Sequence, residues 1–526
     1  MTDRFDIIVI GSGAGGGTLA RALASTGARM LILERGEAVP QEPSNWDPVE
    51  VWKHLRYRSE EQWLDEQGHE FLPYMHYNVG GNSKFWGSVL FRLRVEDFGE
   101  LTHRGGVSPA WPIDYATLAP FYDRAERMYC VHGEVGIDPT EPPRGAYPHP
   151  PIPHSAEMAV LVAKLRTLGF HPLPLPLALI DPGEPGGCVL CNTCNSFPCR
   201  IHKKGDAEVC GVMPALQHDN VTLWTGAHAE RLHTDPSGQR VVAVDVRRGN
   251  ATIRVEADLF IVSCGAVNSA ALLLRSASDR HKDGLANSSG LVGRRYMAHH
   301  ATMMEGFNPW RVNRTVFQKT VAINDYYLRG PDDEFPLGQI QSQGRTHGVM
   351  AQTAYPMIPV WAYDAWVKRG VDWLAMSEDL PDATNRVVVT ADGRIQLDYR
   401  PNNNDTHRRL VAVTKQMLKD LGFRAVVAHS HGSRNTTHQC GTLCFGRDSR
   451  TSVLDEYCRA HDLDNLFVVD ASFFPSSAAV NPALTIIAQA LRVADYIAST
   501  RLGQAMTASR RDTRTPAATD SAVSSN

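Results

Sequence analysis

The sequence lacks an excess of charge of either sign and a long uninterrupted apolar run. Its 53 basic and 57 acidic side chains leave a net charge of −4 over 526 residues, so no overall field attracts phosphate backbones, and nucleic acid is not an expected partner. The longest apolar stretch, residues 259–274, is interrupted by Ser263, Gly265 and Asn268. It falls short of the ~20 residues of a transmembrane helix, so no membrane span is expected.

The amino-terminal segment lacks a basic region, a separate apolar core and a small-residue cleavage site, which predicts a cytoplasmic protein. Cysteine is too sparse, at ten residues, for a disulfide scaffold. A content of 43% apolar and 21% charged residues excludes collagen-like, coiled-coil and disordered classes. Only the last segment, residues 503–526, has almost no large apolar side chain, and it is predicted to be disordered.

What the sequence does contain begins with a strand, a glycine-rich turn, a helix and a second strand. Residues 6–10 and 30–33 are apolar runs typical of buried parallel strands, and the segment between them has the spacing of a helix. The same theme returns at residues 259–274, and residues 466–469 and 482–497 form a further strand and helix. The sequence therefore predicts an α/β fold with a parallel sheet.

The first turn fits the GxGxxG pattern of dinucleotide-binding loops. Gly11 suits the tight turn, Gly13 a close approach to a pyrophosphate, and Gly16 the packing of helix against strand. Glu34 ends the second strand, where its carboxylate can accept both ribose hydroxyls, and this favours FAD or NAD over NADP. The pattern alone leaves FAD and NAD open.

Four further motifs follow in a fixed order. They are residues 79–87 (VGGNSKFWG), residues 438–442 (HQCGT), residues 468–472 (VVDAS) and residues 480–485 (VNPALT). In this order and at these separations the chain resembles the glucose-methanol-choline (GMC) oxidoreductase family, from residue 6 to about residue 498. The resemblance implies a two-domain flavoprotein fold, bound FAD and oxidation of an alcohol.

The resemblance also implies how the chain divides. A Rossmann-type FAD-binding domain is expected from residues 1–100, 205–300 and 433–500. A mostly β, α+β substrate-binding domain is expected from residues 101–204 and 301–432, with a cysteine-rich loop at residues 188–210. Aromatic and β-branched residues within 303–399 independently favour a mostly β layer facing the substrate.

Within the family the chain is most similar to the sugar-oxidising branch that includes pyranose 2-oxidase and bacterial glycoside 3-oxidases. The features that carry this similarity are residues 111–115, 122–126, 194–199 and 204–208, and Asn481 where many relatives have a second histidine. Pyranose 2-oxidase attaches its flavin through a histidine at the position of Phe85. Because this chain has phenylalanine there, FAD is predicted to be bound non-covalently.

His438 and Asn481 are the predicted catalytic pair. Removing a hydride from a secondary carbinol requires that the hydroxyl proton leave in the same step, and an imidazole titrates near neutral pH. Asn481 can orient the same hydroxyl while the carbon faces flavin N5. The other histidines in polar segments, His299, His300, His347 and His431, are predicted to be structural.

Further residues are predicted to contact the cofactor or the substrate. Pro482 directs a helix N-terminus toward the flavin pyrimidine, and Asp470 either lies beside the flavin or caps the next helix. Other expected cofactor contacts are Gly80, Gly81, Asn82, Ser83, Trp86, Ala229, Gly265, Ala471 and Thr485. Expected substrate contacts are Gln341, Gln343, Arg345 and Glu378. The predicted partners are a small sugar or glycoside, O₂ or another electron acceptor, and a second copy of the chain in a homo-oligomer.

Cys188, Cys191, Cys194 and Cys199 crowd into twelve positions. Such spacing leaves thiols, a disulfide, zinc and an iron–sulfur cluster open. No metal is assigned to them here. Their presence therefore leaves a second function open, that of a flavin and iron–sulfur electron-transfer component of a dehydrogenase complex.

Overall fold

The computed structural model describes residues 4–502 apart from residues 333, 355, 431, 433 and 435. The tail predicted to be disordered and His431 lie outside the described residues. The α-helices are α1 (Ala14–Ala24), α2 (Tyr115–Met128), α3 (Ala156–Thr167), α4 (Met213–Ala215), α5 (Ala266–Arg275), α6 (Gly348–Ala354), α7 (Val360–Val367), α8 (Asn404–Asp420) and α9 (Ala483–Ile497).

The strands are short except in two large sheets. They are β1 (Arg4–Ile10), β2 (Met30–Leu33), β3 (Trp63–Asp65), β4 (Glu70–Phe71), β5 (Leu101–His103), β6 (Gly106–Ser108), β7 (Val131–His132), β8 (Leu173–Pro174), β9 (Leu177–Ala178), β10 (Val221–Trp224), β11 (Ala227–Thr234), β12 (Val241–Arg248), β13 (Ala251–Val262), β14 (Met297–Ala298), β15 (His300–Phe307), β16 (Val321–Ile323), β17 (Gln339–Ser342), β18 (Gly370–Ser377), β19 (Arg386–Val389), β20 (Ile395–Asp398), β21 (Ala425–Ser430), β22 (Gln439–Cys440) and β23 (Leu466–Val468).

The first large sheet has seven strands. Its order is β10, β2, β1, β13, β12, β11, with β23 also paired to β13. β10, β2, β1, β13 and β23 run parallel, whereas β11, β12 and β13 form an antiparallel meander. β1 and β2 are almost fully buried because helices cover this part of the sheet, which explains their continuous apolar sequence. The predicted α/β fold is confirmed.

The second large sheet has six strands in the order β21, β15, β18, β17, β16, β8. One face packs on α3 and α8 in a separate hydrophobic core that includes Ile340, Trp373 and Leu410. Because side chains alternate along a strand, the residues between those core positions point to the opposite face, which is open to a cavity. The predicted division of the chain into two domains stays a prediction, and β15 begins at His300, one residue before the segment expected for the substrate-binding domain.

The region expected to be mostly β also contains helices. α6 and α7 lie between β17 and β18, where tryptophan, tyrosine and valine suggested strands. In α7, Tyr363 and Val367 are buried four residues apart, so a helical face rather than a pleated one makes the contact. No helix in the described part of the chain combines the length and apolar character that crossing a membrane requires.

Candidate active site

A cavity of about 970 Å³ lies between the carboxyl ends of the parallel strands and the open face of the six-stranded sheet. Ligands of open α/β sheets bind at this edge, because loops and helix N-termini converge there. The cavity has one end lined by glycines and another lined by polar strand residues. We describe these as the nucleotide end and the sheet end.

At the nucleotide end, β1 turns into α1 through the predicted glycine loop. Gly11 has a φ of +99°, and a Cβ there would lie 2.2 Å from Ser263 O. A Cβ on Gly16 would lie 2.0 Å from Gly11 O, so close packing of helix and strand explains this glycine. Gly16 does not line the cavity, and its predicted role in the packing of helix against strand is the one that the structure supports. The sequence did not single out Gly15, but a Cβ there would lie 1.9 Å from Val469 O, so close packing explains this glycine as well.

Gly13 differs from its neighbours in the loop. A Cβ on Gly13 would meet nothing within 4 Å, because the residue faces the cavity at the N-terminus of α1. No side chain caps this helix, so its first N–H groups are available to an anion. Gly81 lies opposite, with a hypothetical Cβ 3.4 Å from the Gly13 Cα. The absence of side chains lets the two backbones approach closely, and the open space in front of Gly13 leaves the helix N-terminus accessible from the cavity.

Glu34 lies at the end of β2 with its carboxylate in the cavity wall. It accepts hydrogen bonds from Ser12 N at 3.1 Å, Ser12 Oγ at 2.5 Å and Gly36 N at 3.1 Å. Burial raises the pKa of Glu34, and these three donors oppose that shift. The adjacent Arg35 is paired with Glu61 at 3.0 Å, which agrees with a site for an unphosphorylated ribose.

Residues 81–86 form the opposite wall of the nucleotide end. Lys84 points away from the cavity and pairs with Asp206 at 3.1 Å and Glu208 at 2.5 Å, all three side chains being buried. Lys204 Nζ donates to four carbonyl oxygens, including that of Trp86 at 2.9 Å. The motif at residues 204–208 therefore fixes the glycine-rich wall rather than contacting a ligand.

Two more helices point their N-termini into the cavity. α5 begins after Gly265, whose N–H donates to Asp470 Oδ2 at 3.0 Å. Asp470 also caps the short helix 471–473, because its Oδ1 accepts from Ser472 N at 2.9 Å. The same residue lines the cavity, so it is both a helix cap and a cavity residue. α9 begins after Pro482 without a side-chain cap. Its free N–H groups favour negative charge at this point.

His438 and His299 lie side by side because of a short antiparallel ladder. β14 pairs with β22 through Met297 with Cys440 and Ala298 with Gln439. One position further, His299 Nδ1 lies 3.1 Å from His438 Nδ1. His438 has a φ of +53°, a left-handed conformation that is uncommon outside glycine. The prediction that His299 is merely structural misses this contact.

Asn481 approaches the other side of the His438 ring. Its Nδ2 lies 3.4 Å from His438 Nε2, and both residues line the cavity. Asn481 Oδ1 is buried and has no hydrogen-bond partner among the described residues. An unsatisfied buried acceptor in a cavity wall indicates a missing ligand donor.

The structure brings most of the predicted residues to this cavity. Those that line it are Gly11, Gly13, Glu34, Gly81, Asn82, Ser83, Trp86, Ala229, Gly265, Gln341, Gln343, His438, Asp470, Ala471, Asn481 and Pro482.

Two predicted cofactor residues besides Gly16 lie outside the cavity lining. Thr485 Oγ1 is 2.7 Å from Tyr122 Oη, because this side of the first turn of α9 faces α2. Gly80 has a φ of +86° and donates its N–H to Ser12 Oγ at 3.0 Å, so it shapes the loop beneath the site.

Two predicted substrate residues, Arg345 and Glu378, do not line this cavity. Arg345 donates to Asn313 O at 2.7 Å and lines a small neighbouring pocket. Glu378 is buried and accepts hydrogen bonds from Ser108 Oγ at 2.5 Å and Ala478 N at 3.2 Å. Its Oε2 lies 3.0 Å from His103 Nε2. In both cases the direction of the side chain, which the local sequence does not specify, takes it away from the cavity.

The cavity also contains polar residues that the sequence did not single out. His76 stacks on Phe85 with ring centroids 3.8 Å apart, and burial lowers its pKa to about 3. Lys319 is buried and donates to Asn195 Oδ1 at 2.7 Å, and burial lowers its pKa to about 7. Neither residue lies in a motif, so only spatial proximity could have revealed them.

The four clustered cysteines are unpaired thiols. Within the described residues, no group of three or more histidine, cysteine, aspartate or glutamate side chains is arranged to hold a metal. The iron–sulfur alternative is therefore not favoured.

The residues present fit FAD. The nucleotide end offers an uncapped helix N-terminus, facing glycines and a ribose-binding carboxylate, while α9 directs a second N-terminus toward His438 and Asn481. Two family models of GMC oxidoreductases, amino-terminal and carboxyl-terminal, match residues 62–301 and 381–490.

The chain belongs to the GMC oxidoreductase family. It is 33% identical to paromamine 6'-oxidase from Streptomyces fradiae, an alignment that covers 94% of this chain and 91% of that protein. It is also 33% identical to 6'''-hydroxyparomomycin C oxidase from Streptomyces lividus, with the same coverage. It is 27% identical to the fructose dehydrogenase large subunit of Gluconobacter japonicus, over 94% of this chain and 97% of that one.

Solved structures agree on the fold of this GMC oxidoreductase. Pyridoxine 4-oxidase from Mesorbium loti superposes with a TM-score of 0.66 at 19% identity, covering 94% of this chain and 100% of that one. Formate oxidase from Aspergillus oryzae gives a TM-score of 0.64 at 15% identity, covering 95% and 99%. The protein is thus an oxidoreductase that acts on alcohol or sugar hydroxyls, and its family implies FAD as cofactor.

Gly13→Ala and Gly16→Ala should separate cofactor binding from folding. The methyl group at Gly13 enters open cavity space, so the apoprotein should keep its thermal unfolding temperature but bind FAD at least about tenfold more weakly. The methyl group at Gly16 collides with backbone and should destabilise the apoprotein by about 2 kcal/mol or more. Calorimetry of apoprotein and FAD titration measure the two effects. Equal FAD affinity in Gly13→Ala would contradict the assigned phosphate site.

Proposed function

We propose that this GMC oxidoreductase oxidises a hydroxyl group of a sugar or glycoside, with His438 as the base. The observation that carries the proposal is the arrangement of His438 and Asn481, 3.4 Å apart, between the FAD-compatible end of the cavity and a polar strand face. Bound FAD supplies the hydride acceptor. Gln341 and Gln343 support a polyhydroxylated substrate, because their amides match several hydroxyls.

The hydrogen bonds around His438 define which ring nitrogen acts. Ser477 O can only accept, so His299 Nε2, at 2.9 Å, carries a proton. Burial lowers the pKa of His299 and keeps it neutral, which leaves its Nδ1 as an acceptor. His438 Nδ1 therefore donates to His299, and the lone pair of a neutral His438 is on Nε2, the atom beside Asn481.

His438 Nε2 is thus placed to take the hydroxyl proton of the substrate. The resulting imidazolium keeps its hydrogen bond to His299 Nδ1, so the charge forms next to an acceptor that is already in position. Asn481 Nδ2, beside His438 Nε2, can donate to the oxygen of the same hydroxyl without titrating. Its unpartnered Oδ1 is left to accept from another donor of the substrate.

The oxidised position has two candidates. The similarity to the sugar-oxidising branch favours a secondary hydroxyl, at C2 or C3, which gives a ketone. The relatives at 33% identity are named for oxidation at positions 6' and 6'''. Position 6 of a hexose carries a primary hydroxyl, which gives an aldehyde. We propose C2 or C3 and take position 6 as the second candidate.

A substrate panel tests the activity directly. Glucose, methyl glucosides, paromamine and simple polyols are mixed anaerobically with the FAD-loaded enzyme, and loss of visible flavin absorbance reports reduction. We expect at least one sugar or glycoside to reduce the flavin faster than any polyol. NMR of the product distinguishes a ketone from an aldehyde, and reoxidation by O₂ against a quinone identifies the acceptor. Reduction by polyols alone would contradict the proposal.

His438→Ala should retain FAD but slow flavin reduction at least about 100-fold, because positioned proton transfer contributes 10² to 10⁴ in rate. Stopped-flow reduction measures the step apart from reoxidation. His347→Ala, which removes an imidazole outside the cavity lining, serves as the control and should reduce at the wild-type rate. Fast reduction in His438→Ala would place the base elsewhere.

FAD should leave the protein completely on denaturation, because Phe85 cannot form a flavin bond. Precipitation followed by chromatography of the supernatant measures the released fraction. Flavin retained on the protein would overturn the non-covalent proposal. In that case peptide mapping would test His76, whose neutral ring lies against Phe85 in the cavity wall.

A further inference from the structure

The sheet end of the cavity carries a row of polar side chains across three neighbouring strands. Glu305 on β15 pairs directly with Asp372 on β18, and Gln343 N donates to Asp372 O at 2.8 Å from the segment after β17. All three residues line the cavity. Cross-strand partners point to the same face, so two carboxylates are adjacent in a wall shielded from bulk water. We call these three residues the acidic row.

The two carboxylates of the acidic row are fixed differently. Asp372 accepts hydrogen bonds from Thr346 Oγ1 at 2.7 Å, Thr346 N at 3.1 Å and Gln318 Nε2 at 2.8 Å. Glu305 Oε2 accepts from Trp366 Nε1 at 2.8 Å. Glu305 Oε1 is buried and has no hydrogen-bond partner among the described residues.

A second, independent observation comes from Gln341 on β17. Its side chain is 1% exposed and lines the cavity, and its Oε1 has no partner in the described part of the chain. Gln341 pairs with Leu374, which is two residues from Asp372. Gln341 and Asp372 are therefore diagonal cross-strand neighbours, at roughly 7 to 8 Å from each other. Two unsatisfied acceptors therefore flank a buried negative charge.

The chemistry of these acceptors selects a cation with several N–H donors. Adjacent buried carboxylates repel each other and are costly without a positive partner. Among the described residues, neither Glu305 nor Asp372 forms a salt bridge with lysine or arginine. Arg345 lies near Asp372, but it donates to Asn313 and does not line the cavity. A primary ammonium group has three donors and one charge, which suits this set.

The position of the acidic row sets the length of the ligand. β15 rises about 3.3 Å per residue, so Glu305 lies about 13 Å along the strand from Ala301, which follows the His299 segment by two residues. A single pyranose ring is too short to reach both ends. We infer that the substrate is an ammonium-bearing glycoside of at least two rings. Its amine would bind Glu305 and Asp372 while its reacting hydroxyl lies at His438. This inference rests on the proposed sugar oxidation.

The inference is tested with paromamine and its fully N-acetylated form, which keeps the hydroxyls but lacks the charge. Anaerobic flavin difference spectra of the FAD-loaded enzyme give Kd, and stopped flow gives the reduction rate. We expect paromamine to bind at least about tenfold more tightly than its N-acetylated form. Glu305→Gln should remove that preference and leave the N-acetylated ligand unaffected. The control variant Glu60→Gln, which changes an exposed carboxylate, should keep the preference for paromamine.

A measurement on the unmodified enzyme covers the case in which Glu305→Gln fails to fold. Burial and the neighbouring Asp372 raise the pKa of Glu305 to about 8, so at pH 7 it is mostly protonated before binding. An ammonium beside it favours the carboxylate, and paromamine should therefore release a proton that the N-acetylated form does not. Other charged or titratable groups that line the same cavity or act on Asp372 include Lys319, Tyr363, His429 and Arg345. Calorimetry in two buffers of different ionisation enthalpy measures the release.

The outcomes distinguish the two proposals. If both ligands bind equally and release no proton, the ammonium site is wrong, although sugar oxidation stands if neutral glycosides reduce the flavin. If no sugar or glycoside of any kind reduces the flavin, the proposed function fails and the ammonium site fails with it.

Discussion

A ladder of only two residue pairs determines the polar centre of this protein. β14 and β22 pair at Met297–Ala298 and Gln439–Cys440, and the next position on each side is a histidine. β22 is in turn fixed to the floor of the parallel sheet, because Gly441 N donates to Ala471 O at 3.0 Å. β14 leads directly into β15 of the six-stranded sheet. The ladder therefore joins the nucleotide-binding layer to the substrate-facing layer at the place where a base is needed.

The same constraint explains why the cavity has two chemically different ends. Parallel strands deliver helix N-termini to one edge, so α1 and α9 present N–H groups where a cofactor carries negative charge. An antiparallel sheet has alternating side chains, so one face of β15, β17 and β18 packs on α3 and α8 while the other can be polar. Neither sheet alone would enclose a substrate against a cofactor. Their junction does, and His438 lies at that junction.

Local motifs revealed the parts of the site that depend on backbone shape. Gly11, Gly13 and Glu34 were predicted because a turn, a close approach and a strand end each require a particular residue. Arg345, Glu378 and Thr485 were expected at the site but do not line the cavity, because the direction of a side chain depends on register and helix face. His299 was missed because its partner is 139 residues away, and no local pattern encodes that pairing. Glu305 and Asp372 of the acidic row were missed for the same reason, since they lie on different strands, whereas Gln343 was predicted as a substrate contact.

Distance determines which neighbour controls the charge on His438. At an effective dielectric constant of about 20, a unit charge acting over about 13 Å, the rise of β15 between Ala301 and Glu305, contributes only ~1 kcal/mol. The rings of His299 and His438 have centroids 5.1 Å apart, and two positive charges at that separation would repel by ~3 kcal/mol. The acidic row can therefore bind a distant part of the substrate without altering the base greatly. Burial and the hydrogen bond to Ser477 O favour the neutral form of His299, which in the proposed mechanism leaves His438 able to accept a proton.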